Sequence, residues 1–551
     1  MAMDVPLHGA GSVGHRIAAA RRAIGLTQKQ LADALGARAW TVERMEAGTL
    51  DATRHLPAIA AVTDRPFDWF VRDAGAPRSS TRARATEMTN LGDTGKKLIL
   101  GSIVLLVCIR LVTEVYSVVP RAANFIDIPI FLVLAFAAML VPTGRGPGRA
   151  YLRLGVPSMV FIVLSIISGI VNAERTEAAP VVVFVYGFLA PFAIYAAVYR
   201  IWPQGSARAL SNTLVCLGVL QLVIVAAVDL PRFVDTGDPD LISGTFGTNA
   251  YQLVFLLLVV AALLAGIFTL EPGRTMARLA PVLLLAFFAV ILLAQYRALL
   301  ATTLITTVAI GILLGRHVRG VLITVVALIA FSITFSYISD HYPGLKLKTT
   351  ATTLTESPTS YVRHRLEGTE PVRHLYGDDE LASLTGTGPG TFSSRAWQTF
   401  AKAGSTSQSN VAGGYAQKLV GGIYTTDVSD KYVAPQIETG TLLEGSRAIS
   451  SPFSSYLGLA AETGVLGLAL IVGIYLWALF RSGHLAKATI AAADGRDSVP
   501  ALALAATIGL LTLLQMALLE NWLEVTRLTF VVWAMLAVVS KEIDARAART
   551  E

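Results

Sequence analysis

The strongest constraint on this chain is a succession of apolar runs, each near the roughly 20 residues that an α-helix needs to cross the ~30 Å hydrocarbon core of a bilayer. They fall at about 98–118, 125–142, 154–172, 180–199, 209–230, 250–270, 279–295, 298–314, 320–338, 454–480, 500–519 and 523–540. The composition agrees, with 54% hydrophobic and only 15% charged residues among 551. The expectation is an all-α, polytopic membrane helical bundle of about twelve spans.

Orientation follows from charge, because Lys and Arg in short connections collect on the cytoplasmic side. With the N-terminus inside, Arg145, Arg149 and Arg153, then Arg200 and Arg208, then Arg274 and Arg278 fall inside. So do Arg316 and Arg319, then Arg481, Lys487 and Arg496, and finally Lys541, Arg546 and Arg549. The opposite connections hold few: Arg121, Arg175 and Arg232. Both termini are therefore expected in the cytoplasm, and the long polar stretch 339–453 outside it. Spans one to nine occupy 98–338, spans ten to twelve 454–540, and a cytoplasmic tail 541–551. The two cysteines, Cys108 and Cys216, lie in apolar runs, which disfavours a disulfide framework or a Cys metal site.

Residues 1–73 read as a small soluble helical domain. Thr27 is placed to cap a helix over Gln28–Leu35 that Gly36 ends, and a further helix over about Ala39 to Ala47 closes at Gly48. Residues 74–97 read as a flexible linker with Arg78, Arg82, Arg84, Lys96 and Lys97 approaching anionic lipid. Leu26 to Gln28, Leu31-Ala32, Gly36 and Val42 to Gly48 resemble the Cro/repressor type of helix-turn-helix, the XRE family. In that family the start of the third helix enters the major groove, which implies Arg38, Trp40, Thr41 and Arg44 near bases or phosphates and Gln28 on the backbone. Such domains also serve as docking modules, so DNA and a cytoplasmic protein are both candidate partners.

Charged residues at membrane depth are costly and default to functional candidates. Arg297 falls at the outer turn between two runs, while Arg110 stands one helical turn from Glu114, the spacing of a structural ion pair. In the outer stretch lie Arg363, Arg365 and Arg373, followed by Gly386-Thr387-Gly388-Pro389-Gly390-Thr391-Phe392, then Tyr456 and Glu462. The glycine-rich segment lacks the Lys of a nucleotide P-loop, and its simplest reading is a tight turn that lets backbone segments pack.

Ser243 to Ala250, Gln295-Tyr296-Arg297, Arg363, Gly386 to Phe392, and Tyr456 through Gly467 resemble, in that order, the signatures of the O-antigen ligase and polymerase family. The match covers roughly 241–470. It implies a glycosyltransferase of the bacterial inner membrane that moves a glycan from an undecaprenyl diphosphate carrier to a sugar hydroxyl at the outer face, with no cofactor and no metal. It further implies Arg297 and Arg363 on the diphosphate, Arg365 and Arg373 near them, and Gly388 and Tyr456 at the substrate, with Glu462 either orienting the acceptor or facing a neighbouring helix. The chain departs from the family where ligases carry a His-Asn pair, since Ser451-Pro452-Phe453-Ser454-Ser455-Tyr456 contains no histidine. Either another residue activates the acceptor, with His341, His364, His374 and Glu438 as the alternatives, or the chain follows the polymerase branch, where that histidine is not a fixed feature. A transporter, or a membrane-anchored DNA-binding regulator, are the competing readings.

Overall fold

The computed structural model describes residues 13–65, 69–70, 78–119, 123, 125–140, 149–236, 241–247, 249–294, 297–341, 369–400, 425–435, 454–493, 495, 497–518 and 521–550. Every regular element among them is helical, and the chain divides into two units, 1–91 and 92–551.

The first unit contains α1 (Val13–Ala23), α2 (Gln28–Ala34), α3 (Ala39–Glu46) and α4 (Leu56–Thr63). Thr27 caps α2 as expected: its hydroxyl accepts from Gln30 N, and the Gln30 side chain accepts in turn from Thr27 N. Ile17, Leu31, Ala32, Val42, Met45 and Ile59 form the core. Beside it the Glu46 carboxylate accepts from Arg21 at 2.7 and 3.0 Å and from Gln28 Nε2 at 2.8 Å, tying α1, α2 and α3 together.

Residues 78–97 differ from the flexible linker expected of them. They are helical, in α5 (Arg78–Arg110). No proline follows Pro77 in this stretch, and Ala, Arg, Glu and Met favour helix even where no apolar periodicity is present.

In the second unit eight helices are long and apolar enough to cross a membrane: Asp93–Val115, made of the last part of α5 and the π-helical turn Leu111–Val115 that continues it, Leu154–Val171 within α7 (Arg149–Val171), α8 (Ala178–Ile201), α9 (Ala207–Thr236), α10 (Ala250–Leu270), α11 (Thr275–Leu293), α17 (Ser455–Ala491) and α18 (Val499–Ala517). The remaining four runs are helical too, as α6 (Asp127–Leu140), α12 (Arg297–Leu314), α13 (Val318–His341) and α19 (Thr526–Thr550). In the first three of these the described apolar stretch is shorter. Three short helices precede α17: α14 (Thr369–Asp378), α15 (Glu380–Thr385) and α16 (Arg395–Phe400). The chain is thus a multi-pass membrane protein.

The centre of the bundle is the pair α10 and α18, buried along almost their whole length. Small residues let backbones meet there, as lipid-embedded helices without a hydrophobic drive require. A Cβ on Gly266 would come within 2.8 Å of Ala501 Cα, and one on Gly509 within 2.7 Å of Val532 on α19. Around this pair Phe192 of α8, Tyr475 of α17 and Trp533 of α19 pack edge to face, with Phe192–Trp533 centroids 4.9 Å apart and Tyr475–Trp533 5.4 Å.

Polar contacts gather the connections into two sets. In one, Tyr199 bonds Asp544, Lys541 bonds Arg200 O, Glu542 accepts from Gly205 N and Ser206 N, Arg546 pairs with Asp497, and Arg274 reaches Glu271, Ser211 and Ser498. These connections are among those that charge counting assigns to one side. In the other set Arg175 pairs with Asp379 and Asp427, and the 521–525 turn meets residues 393–395.

Candidate functional site

The second set surrounds a break in α17. Gly464 takes φ 68°, ψ −176° inside this helix, a conformation only glycine adopts without strain. The break frees carbonyls that a continuous helix would use, and three of them find partners across the contact. Ala460 O accepts from the Tyr376 hydroxyl at 2.7 Å, Ala461 O from Thr387 N at 2.9 Å, and Glu462 O from Gly388 N and Ser168 Oγ, both at 3.2 Å.

The glycine-rich segment after α15 folds over this break. Gly386, Gly388 and Gly390 all have positive φ, and a Cβ on them would strike the backbone of Glu462, the Thr176 side chain and Pro180 respectively. With that approach allowed, the Glu462 side chain enters a ring of main-chain N–H groups. Its Oε2 accepts from Gly390 N at 2.5 Å, and its Oε1 from Phe392, Ser393 and Ser394 N, each at 3.0 Å. Glu462 is fully buried. A carboxylate so enclosed acts as a clamp on the loop, its two oxygens taking four N–H groups.

Next to this clamp the 521–525 turn carries a polar cluster. Glu524 Oε2 accepts from Arg395 N at 2.8 Å, at the start of α16, and the Arg395 guanidinium reaches Asn521 O at 3.0 Å and the Tyr251 hydroxyl at 3.3 Å. Asn521 Nδ2 donates to Ser393 O at 2.7 Å, and Gln252 Nε2 to the Tyr251 hydroxyl at 3.0 Å. The Tyr251 and Trp522 rings, 5.5 Å apart, hold the turn against the first turn of α10. Buried Arg527 shares this neighbourhood with Arg110, Glu114 and Asp127. The Arg110–Glu114 pair, at 3.5 Å, has the structural form expected of it, and Glu114 packs where a side chain on Gly247 would be.

The other expected site residues are placed as follows. Arg297 begins α12, but its side chain, like all of Arg363, Arg365, His364 and Glu438, and the side chain of His341, lies outside the described residues. Arg373 and His374 are exposed on α14, His374 facing Glu370 at 3.8 Å. Gly388 is buried in the turn, consistent with its reading as a packing glycine. Tyr456 donates to Leu514 O at 2.9 Å and lines an apolar groove of ≈ 600 Å³ between α17 and α18, with Leu468, Leu476, Leu511 and Leu518.

In the first unit Arg38, Trp40 and Arg44 are exposed on or beside α3, Trp40 by 49%, with the Arg44 guanidinium 5.9 Å from the Trp40 ring centre and Thr41 half-buried. Gln28 donates through Nε2 to Glu46 at 2.8 Å.

Arg395, Asn521, Glu524 and Tyr251 were missed by the sequence reading. The available signal was Asn521-Trp522-Leu523-Glu524: amide and carboxylate at the lip of an apolar run, where charge is costly. No family model and no curated protein matches the chain.

Proposed function

We propose that the membrane unit is a glycan polymerase or ligase that transfers saccharide from an undecaprenyl-diphosphate carrier to a glycan or other acceptor at the outer face of a bacterial cytoplasmic membrane. The observation that carries this reading is a cluster of three arginines around Tyr251, half-buried Arg395 and Arg110 with buried Arg527, where the polar stretch meets the ends of the apolar helices. A departing diphosphate needs fixed positive charge as the glycosidic bond breaks, and guanidinium forks supply it in a water-poor setting. The family pattern adds Arg297 and Arg363 to that task. The apolar groove beside Tyr456 suits the isoprenoid tail of the carrier. A transport site would want open main-chain groups at a broken helix. At Gly464 three of the freed carbonyls are already taken by Tyr376, Thr387, Gly388 and Ser168.

In this reading about twelve spans place both termini in the cytoplasm, and the first unit is a Cro-type helix-turn-helix serving as a docking module. The half-exposed Trp40 with Arg44 against it favours a protein partner, Trp and Arg being the residues that dominate interface energetics. The deciding experiment measures transfer from lipid-linked saccharide in membranes, with chelator present. Arg297→Ala and Arg363→Ala should each lower turnover by about 10²–10³-fold, and Lys at either position should restore it only in part, because the planar fork is lost. Wild-type turnover in the double alanine variant would overturn the assignment.

A further inference from the structure

We propose that Glu524 is the base that takes the proton from the acceptor hydroxyl, with Asn521 holding the acceptor beside it. The inference rests on the glycosyl-transfer reading above and fills the place of the histidine that is missing between Ser451 and Tyr456.

Two buried acceptor atoms on one turn carry the argument. Glu524 Oε2 is engaged by Arg395 N, but Glu524 Oε1 has no hydrogen-bond partner among the described residues. Asn521 donates through Nδ2 to Ser393 O, which fixes its amide, and its Oδ1 is likewise without a partner among them. Asn521 is 1% and Glu524 6% exposed, so bulk water does not satisfy either. A third such atom, Gln252 Oε1, lies on the first turn of α10, against which Trp522 holds the 521–525 turn. Buried acceptors left open are costly. Acceptors three residues apart call for a ligand rich in O–H donors, which is what a sugar is.

The charged groups facing Glu524 are Arg395 from α16 and Glu462 from α17, while α8 presents Gly187 against its Cβ and Cγ. Both Glu462 oxygens already accept main-chain N–H groups, three on Oε1 and one on Oε2, whereas Glu524 Oε1 accepts none among the described residues, which makes Glu524 the carboxylate of this pair with an oxygen to offer. In the step, the acceptor oxygen forms the new bond to the anomeric carbon. The bond from that carbon to the diphosphate oxygen breaks, its electron pair leaving with the diphosphate. The acceptor proton passes to Glu524 Oε1.

The competing role for Glu524 is structural, as a cap on the N–H of Arg395. Glu524→Gln separates the two, because the amide oxygen still accepts from Arg395 N while the proton-accepting carboxylate is gone. The assay uses membranes of the producing cell, with their own pool of lipid-linked saccharide, from pH 5 to 9. We expect E524Q to keep the wild-type melting temperature in detergent and to slow consumption of the pool by at least about 10²-fold. E524D should recover part of the rate, and Asn521→Ala should cost roughly tenfold, the worth of one hydrogen bond, without moving the pH profile. Wild-type rate and profile in E524Q would reduce Glu524 to a cap and overturn the proposal while leaving glycosyl transfer standing. Should E524Q fail to fold, the wild-type profile decides: a rate that does not fall toward low pH overturns the proposal. A wild-type protein that consumes no lipid-linked saccharide would instead remove the glycosyl-transfer reading itself.

Discussion

Gly386 and Gly464 make room for one another. A Cβ on Gly386 would strike the backbone of Glu462 and Thr463, one on Gly464 would strike that of Leu384 and Thr385, and both residues have positive φ, 77° and 68°. Neither backbone can retreat, because Thr387 N and Gly388 N are bonded to Ala461 O and Glu462 O across the same contact.

Alanine at either glycine should therefore cost at least ~2 kcal/mol, strain and clash together. The readout is the melting temperature of the purified protein in detergent. Gly273→Ala serves as the control, since a Cβ there meets nothing within 4 Å. Equal tolerance at all three positions would mean that the break in α17 is not held as described.

Glu462 should behave as a clamp. Glu462→Ala strands four buried N–H groups and should cost about 4–5 kcal/mol, the range of a broken buried network. Glu462→Gln keeps one acceptor but turns an N–H₂ toward backbone donors, and should cost about 2 kcal/mol. Protease nicking within 386–394 should rise in the same order. A Gln variant as stable and as protease-resistant as wild type would show that charge plays no part in the clamp.

How much of this was legible beforehand differs by element. The helices were readable because each apolar run reports only on itself, and all twelve coincide with helices. The glycine turn was readable as a packing device because no phosphate-binding lysine accompanies it. Its partner was not: Glu462 meets Gly390 across 72 residues of sequence, and nothing local marks that pairing. Arg395 and Glu524 escaped for a related reason. Each becomes special only when α16 is laid against the 521–525 turn, 129 residues away.

The two sets of polar connections predict a labelling pattern. Cys108 and Cys216 are first replaced by Ser. A cysteine at exposed Asp430 should then react with an impermeant thiol reagent on intact cells, whereas one at Gly273 should react only once the membrane is opened. Ser429, one residue before, is a poor probe because it is buried and bonded to Thr426. Labelling of position 273 on intact cells would invert the proposed orientation.

Acid should loosen the first unit through Glu46. Burial alone would raise this carboxyl, but hydrogen bonds from Arg21 and Gln28 more than offset it and hold it below its ordinary value. A lowered folded value means that the contribution is complete above the unfolded value, near pH 4.3, and fades as pH falls through the folded one. Amide exchange in α1–α3 of the full-length protein, corrected for intrinsic rates, should lose protection only below about pH 4. Glu46→Gln should lower protection at neutral pH and flatten the dependence. An unchanged profile in that variant would mean that the pair adds nothing.

The exposed face of α3 makes the partner of the first unit testable. A DNA contact made mainly through phosphates loses affinity with salt at a log–log slope of about −0.9 per phosphate neutralised. Arg38 and Arg44 are the arginines on this face, and Gln28 is engaged by Glu46, so full-length protein in detergent should show a slope no steeper than about −2 on duplex DNA. A protein partner predicts the opposite pattern. Its binding should depend weakly on salt and fall by about 2 kcal/mol or more on Trp40→Ala, because a large half-exposed aromatic flanked by Arg is where interface energy concentrates. A slope of about −4 or steeper, flattened by roughly one unit in Arg38→Ala and again in Arg44→Ala, would decide for DNA and against docking.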